Sequence, residues 1–409
     1  MPETRPLTIL CLASFFKGVA FLQAAKRLGC KVIVVAKESF KDEAWPRESI
    51  DEIYFMPDLT QRPDITFAVS YLARSHVLDQ IVALDDYDVE TAAHLREHMR
   101  LPGMGDSTAR HFRDKLAMRT AARNGSLTVP EFTGVFNHDR LRDFMARVPP
   151  PWLLKPRSEA SSMGIKKLHH PDELWPLLDS LGDRQSFFVL EQYVPGDVFH
   201  VDGLVNDGEV LFSVASKYGQ PPMNIYQGGG VFLTRTLDRA SADSQALVAL
   251  NRQVLQTLGM VRGATHSEYI RAQVEDPLQG TDGRLYFLEN AARVGGANIA
   301  EAVQFATGLN LWEEWAKIEV AHLRGEPYSL PQTHAGYAGV INCLARQEWP
   351  DLSAYNDPEV AWKMNKKQHA GLIVASPDPA RVETLLNSYS QRFAEDFLAV
   401  LPPLDKAPT

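Results

Sequence analysis

Apolar runs and amphipathic stretches alternate along the first hundred residues. Leu7 to Ala13 is a nearly continuous apolar run, as in a buried strand. Lys17 to Leu28 carries apolar residues at helical spacing and ends at Gly29, and Lys31 to Ala36 is a second buried strand. This predicts a βαβ opening. Its first turn, Ser14-Phe15-Phe16-Lys17-Gly18, lacks the three glycines that let a backbone approach a pyrophosphate, so no dinucleotide site is expected there. A further strand, Gln80 to Leu84, runs into Asp85-Asp86-Tyr87-Asp88 ahead of a helix from Val89 to Met99. In open α/β sheets the carboxyl ends of strands face the ligand crevice, so these acids either see substrate or form a solvated loop.

Pro102-Gly103 marks a boundary near residue 104. A helix is predicted from about Ser107 to Arg123, with Asp106 as N-cap and Asn124-Gly125 as its stop. From residue 126 short elements follow one another: Pro151 to Pro156, Pro171 to Leu181, Phe187 to Tyr193, Val198 to Val205 and Glu209 to Ala215. A long helix, about Ala240 to Leu258, comes next. Two apolar strands, around Thr265 to Ala272 and Leu285 to Glu289, flank a polar loop containing Asp-Pro and Gly, which predicts a hairpin with a long tip. A last α/β segment begins near residue 335. The expected organisation is therefore three units, 1–104, 105–325 and 326–409.

The 409 residues, 45% of them hydrophobic, are enough to bury a sizeable core. A net charge of −9 with scattered Lys and Arg leaves no electrostatic footprint for nucleic acid or an anionic membrane, which directs attention to small-molecule partners. The early apolar run is too short to span a bilayer and ends without a small-residue cleavage site, so a cytoplasmic location is expected. Cys11, Cys30 and Cys343 sit in apolar segments at spacings that suit neither a metal nor a disulfide framework and read as buried thiols. A homodimer is the candidate assembly.

The chemistry-bearing residues lie in the middle of the chain. Lys115 lies on a charge-rich helix, where taken alone it reads first as a solvated cation. Lys155 ends the strand Trp152-Leu153-Leu154-Lys155-Pro156, where an ammonium between Leu154 and Pro156 needs a phosphate or a carboxylate to face. The run Arg157 to Ile165 is polar and small enough for its amides and hydroxyls to fold over phosphates, or to make a plain hairpin turn. Glu191-Gln192-Tyr193-Val194 offers alternating backbone donors and acceptors at a strand end, as an adenine hinge or an ordinary edge would. Glu268 and Glu289 fall on the two arms of the predicted hairpin, so pairing brings two carboxylates together, and these call for a metal or a basic partner. Together these features suit ATP and its metal.

In order and spacing, Asp114-Lys115, Leu154-Lys155-Pro156, the flap Ser158 to Gly164, Glu191 to Gly196, His266-Ser267-Glu268 and Glu289-Asn290-Ala291-Ala292-Arg293-Val294-Gly295-Gly296 resemble the ATP-grasp superfamily, in particular its biotin-carboxylase-like and amino-acid-ligase branch, over roughly residues 7 to 325. The resemblance implies an α/β (α+β) architecture. A Rossmann-like N-terminal domain (1–104) would precede a two-subdomain ATP-grasp fold (105–325) with its lid at about 126–190, and a C-terminal α/β subdomain (326–409) would follow. It further implies that Lys115 and Lys155 hold the ATP phosphates beneath Ser161, Ser162, Met163 and Gly164. Glu191, Gln192, Tyr193 and Val194 would form the adenine hinge. Glu268 and Glu289 would hold Mg²⁺, with Mn²⁺ as an alternative, and Arg293 would stabilise the transferred phosphoryl group.

Two positions depart from the family. Ala291 stands where a second metal-ligating Asn is often found, and Asn290 is expected on the opposite face of the strand. The ribose-binding Glu falls at Val198, which shifts ribose contacts to Asp197, or to His200 and Asp202. Lys217 is expected to point into the cleft as a further catalytic cation, ahead of a loop with Gly228-Gly229-Gly230 that could order over substrate. The implied activity is ATP-dependent ligation of a small carboxylate, such as an amino acid, to an amine through an acyl phosphate, releasing ADP and phosphate. The rivals are a biotin-carboxylase-like carboxylase, for which the chain has no Met-Lys biotinylation motif, and a nucleotide-binding protein without catalysis. The histidines do not cluster along the chain like zinc ligands, and no Gly-x-Ser-x-Gly elbow is present.

Overall fold

The structure, a computed structural model, describes residues 5–160, 162–273 and 283–402. Its framework is three sheets. The first is parallel, with β1 (Thr8–Ala13), β2 (Lys31–Lys37), β3 (Glu52–Met56) and β4 (Gln80–Ala83) in the order β3-β2-β1-β4. Every residue of β1 and β4 is buried, which explains why both are apolar beyond their first residues, Thr8 and Gln80, because helices cover both faces of a parallel sheet. β3 and the helix Arg62–Leu72 were not separately expected; β3 is a half-exposed edge strand without a clear apolar period.

The second sheet is antiparallel, with β5 (Phe132–Gly134), β6 (Trp152–Pro156), β7 (Lys166–Leu168) and β8 (Phe188–Gln192) in the order β5-β8-β6-β7. The third holds eight antiparallel strands. They are β9 (Gly196–Asn206), β10 (Glu209–Tyr218), β11 (Phe232–Thr236), β12 (Gly263–Ala272), β13 (Leu285–Ala291), β14 (Tyr337–Leu344), β15 (Val360–Lys363) and β16 (His369–Ser376), in the order β13-β12-β9-β10-β11-β14-β16-β15. The expected hairpin is present as β12 and β13. The tip of its loop, residues 274–282, lies outside the described residues, as do Ser161 and Pro403.

One expected helix is two. The stretch from Ser107 to Arg123 begins with a short turn, Asp106–Ala109, passes through a 3₁₀ turn, and breaks at Arg113, whose φ of −136° leaves the helical region. The helix then restarts at Lys115 and runs to Asn124. Asp114 is the effective cap, accepting the amides of Leu116 at 2.9 Å and Ala117 at 3.3 Å, whereas the predicted cap Asp106 makes no such bond. The restart places Lys115 at a helix N-terminus instead of mid-helix.

The long helix forms as Ala242–Leu258 with Ser241 as its cap. All three cysteines are buried free thiols. Among the described residues, no helix is long and apolar enough to cross a membrane.

Candidate active site

Two cavities meet between the second and third sheets. The first, about 100 Å³, has an apolar slot formed by Leu153, Met163 and Ile165 on the side of the second sheet and by Val198, Ile270 and Leu288 on the third, closed at one edge by Gln192, Tyr193 and Val194. Such a slot suits a flat heteroaromatic ring. The amides of Gln192 and Tyr193 are committed to the carbonyls of Glu131 (2.7 Å) and Pro151 (3.0 Å). Reading a base edge is thus left to the hinge carbonyls and to the amide of Val194, which has no backbone acceptor among the described residues.

The Glu191 side chain lies behind this hinge, 1% exposed. It accepts from Lys155 Nζ at 2.5 Å and from Arg119 Nε at 2.7 Å. Burial alone would raise its pKa, but the charges of Arg119 and Lys155 hold it below the usual range. Lys155 has met the requirement read from its sequence context by facing a carboxylate, and it still lines the cavity. Arg119 was not anticipated. Its signal is helical spacing, four residues after Lys115 and on the same face of the helix Lys115–Asn124.

Lys115 is buried. Its Nζ bonds the Glu159 carbonyl at 2.7 Å and the Glu289 carboxylate at 3.0 Å, while its amide bonds the Arg157 carbonyl at 2.8 Å. The helix start is thereby tied to the flap. Arg157 reinforces the tie by holding the cap, Asp114, through Nε at 2.9 Å and through Nη2. Of the flap, Ser162 and Met163 line the first cavity, and Gly164 lies on the outer side of the second sheet in a separate cleft with Arg157 and Lys166. Ser161 falls outside the described residues.

Glu268 and Glu289 are direct cross-strand partners in the register of β12 and β13, and both line both cavities. Glu268 accepts from the Tyr218 hydroxyl at 2.8 Å and lies 3.7 Å from His266 Nε2. Burial works to raise its pKa, yet the contact with His266 keeps it lowered, so the carboxylate stays ionised. With Lys115 on Glu289, the donor set is two hard carboxylates on one face, each beside a basic partner. That set fits a divalent cation. Asn290 bonds Ser267 Oγ on the opposite face, as the strand alternation required, and Ala291 offers no ligand.

The second cavity, about 300 Å³, continues from Lys115, Glu268 and Glu289 to Arg293, Asp86 and Tyr218. Arg293 donates to the Val294 carbonyl at 2.9 Å, and its Nε lies 3.9 Å from Asp86 Oδ1. Asp86 is also paired with Arg113. Burial opposes the charge on Asp86, but Arg113 and Arg293 hold its pKa below the usual range. The other acids of that run are used structurally: Asp85 binds Lys17, and Asp88 accepts the Ser14 amide at 2.7 Å and hydroxyl at 2.6 Å. Only Asp86 of the three reaches the cavity wall.

Three expected contacts fall elsewhere. Lys217 pairs with Phe199 in register, which puts it on the face of β10 opposite to Tyr218, and its Nζ binds Asp197 at 2.9 Å. Neither Lys217 nor Asp197 lines either cavity. A period of two decides this, since adjacent residues on a strand face opposite sides. His200 is fully buried beneath the cavity floor, bonded to Asp202 at 2.7 Å and Thr234 at 2.7 Å. It belongs to a network in which Asp202 also accepts from His266 Nδ1 at 2.9 Å, so the fold gathers two histidines that are distant in sequence. Although burial disfavours its charge, His266 is pushed up to about 9 by Asp202. Gly295 is required here, because a Cβ would come within 2.6 Å of Asp202 Oδ1.

Comparison with known proteins adds to this geometry. Residues 22–103 match the ATP-grasp N-terminal domain family. The L-arginine-specific L-amino acid ligase of Bacillus subtilis is 25% identical over 277 residues, covering 66% of this chain; the chain spans just 64% of that relative's length. The crystal structure of an L-amino acid ligase from Bacillus licheniformis superposes with a TM-score of 0.74 at 17% identity, covering 97% of this chain and 99% of that one. A carboxyaminoimidazole ribonucleotide synthase from Aspergillus clavatus, solved with ATP, gives 0.72 at 15% identity, covering 96% and 99%. Residues 22–103 are thus similar to the ATP-grasp N-terminal domain family, and the chain as a whole shares the fold of these two solved enzymes.

Proposed function

We propose that the chain is an ATP-dependent carboxylate-amine ligase acting on an amino acid or a similar small carboxylate. The observation that carries this reading is the placement of Glu268 and Glu289 opposite one another where two cavities meet, one shaped for a flat base and one bearing Arg293. The named activities of the related ligases and the ATP bound to a structural neighbour support it.

In this reading the apolar slot takes adenine, and Lys155, Lys115 and the flap lie along the phosphates. Glu268 and Glu289 would hold Mg²⁺, or Mn²⁺, which when bound neutralises phosphate charge and orients the terminal group. A substrate carboxylate oxygen attacks the γ-phosphorus, the bond to the β-bridging oxygen breaks, and ADP leaves. Lys115 and Arg293 stabilise the charge that develops. The amine then attacks the acyl carbon, phosphate departs, and the nitrogen loses its proton. The three buried thiols suit a cytoplasmic setting.

The test is product analysis. Turnover with a panel of amino acids should yield ADP and phosphate, and hydroxylamine in place of the amine should yield a hydroxamate. AMP and pyrophosphate would instead mean adenylation, and would overturn the roles given to Arg293 and the two glutamates.

A further inference from the structure

We infer that the outer face of the helix Arg62–Leu72 is the surface on which a second copy of this chain docks, the two helices packing antiparallel about a two-fold axis. This surface lies outside both cavities, and its role does not depend on the ligase reading. The helix buries Ile65, Val69 and Leu72 in the core beside the first sheet, as an amphipathic helix should. On the opposite face, where polar residues are expected, Phe67 and Tyr71 stand one turn apart and are 71% and 65% exposed. Two adjoining exposed rings call for a partner in a way that a single one does not.

The face is complementary to itself. At about 100° per residue, Asp64, Phe67, Tyr71 and Arg74 fall within a stripe about 80° wide on the side opposite Val69. Arg74 stands just past the helix end, and its guanidinium lies 5.2 Å from the centre of the Tyr71 ring, which keeps it on this stripe. Phe67 precedes Val69 by as many residues as Tyr71 follows it, and the same holds for Asp64 and Arg74. A two-fold axis crossing the stripe at the level of Val69 therefore sets Phe67 opposite Tyr71 of the second copy, and Asp64 opposite its Arg74.

Both charges are free for that pairing. Among the described residues neither Asp64 nor Arg74 has an oppositely charged partner, and both are exposed. In the dimer each meets one, while the aromatic rings between them leave water. A partner of another sequence would have to carry acid, two apolar groups and base in this same order, which a second copy supplies by symmetry. Tyr54, 39% exposed on the edge strand β3 and within electrostatic reach of Tyr71, widens the contact beyond the helix. One helix and a strand edge make a contact at the small end of specific interfaces, which puts the affinity in the micromolar range.

The experiment is sedimentation equilibrium of the full chain over about 1–100 µM, where a monomer–dimer equilibrium with Kd on the order of 10 µM should appear. Asp64→Arg alone and Arg74→Asp alone should each weaken it at least about tenfold, because like charges then face one another across the axis. Mixed in equal amounts, these two variants should associate as the parent does, since each contact again opposes unlike charges; that recovery also shows that both are folded. Phe67→Ser should weaken association about tenfold or more without changing the circular dichroism of the chain. A parent that stays monomeric throughout would overturn the inference and leave the face to a different partner. A dimer indifferent to all three substitutions would place the interface elsewhere, and charge variants that fail to associate on mixing would exclude the antiparallel arrangement.

Discussion

Behind the apolar slot a single carboxylate, Glu191, compensates two cations. Lys155 therefore has two tasks, since its ammonium lines the cavity and also completes a buried ion network. Removing one partner of a buried pair is destabilising because the charge left behind has lost solvent and counter-ion together. Lys155→Ala should lower the unfolding free energy by about 3 kcal/mol. It should also weaken binding of a non-hydrolysable ATP analogue by on the order of 10- to 100-fold, the worth of a charge-assisted hydrogen bond. Urea unfolding and calorimetric titration measure the two effects. Unchanged affinity would remove Lys155 from the nucleotide site, and unchanged stability would mean that Arg119 alone satisfies Glu191. The chain context of Lys155 demanded an anion, and it could not say which one, because Glu191 becomes its neighbour only when β6 pairs with β8.

The helix Lys115–Asn124 owes its starting point to Asp114. That one side chain caps the helix and binds Arg157, so it fixes both the position of Lys115 and the strand end that carries the flap. Asp114→Ala should cost about 1–2 kcal/mol for the cap, with a further fraction for the half-buried pair with Arg157. Because Lys115 would lose its register, KM for ATP should rise several-fold while Asp114→Asn, which keeps the cap, retains most of the affinity. A thermal melt and steady-state kinetics on both variants check this; equal KM in the two would show that the cap does not position Lys115. The break at Arg113 was not legible because the sequence around it keeps helical composition, and the partner that Arg113 meets there, Asp86, comes from the turn after β4.

The first sheet is joined to the third through a buried polar cluster. Glu319 accepts from Gln80 at 2.9 Å and from Trp315 Nε1 at 3.1 Å, and lies 3.5 Å from Arg262, which also binds Asp207 at 2.7 Å. Gln80 belongs to β4, whereas Glu319 and Trp315 sit on the helix Leu311–Arg324. Glu319→Ala should lower stability by about 3 kcal/mol, since it strands two donors and half-compensates a buried guanidinium. Glu319 lines neither of the two cavities, so kcat should stay within about twofold of the parent. Chemical denaturation with parallel activity assays tests both halves, and a large loss of kcat in a folded variant would show that the joint also sets the catalytic geometry.

Sequence by itself determined the elements whose burial is uniform or strictly periodic: the strands β1, β2 and β4, the helices Val89–Met99 and Ala242–Leu258, and the hairpin of β12 and β13 that pairs Glu268 with Glu289. Each of these is dictated by local spacing, and so is the turning away of Asn290. Tertiary structure alone decided which charges meet. Lys217 and Asp197 compensate each other because β9 and β10 align them on the far face, and His200 is enclosed because Thr234 and Asp202 reach it from neighbouring strands. Arg119 and Arg113 enter the cleft because the second sheet and the first fold against them. The physical reason is range. A hydrophobic period is written within ten or so consecutive residues, while a buried charge settles on whichever opposite charge the packed chain brings within hydrogen-bonding distance.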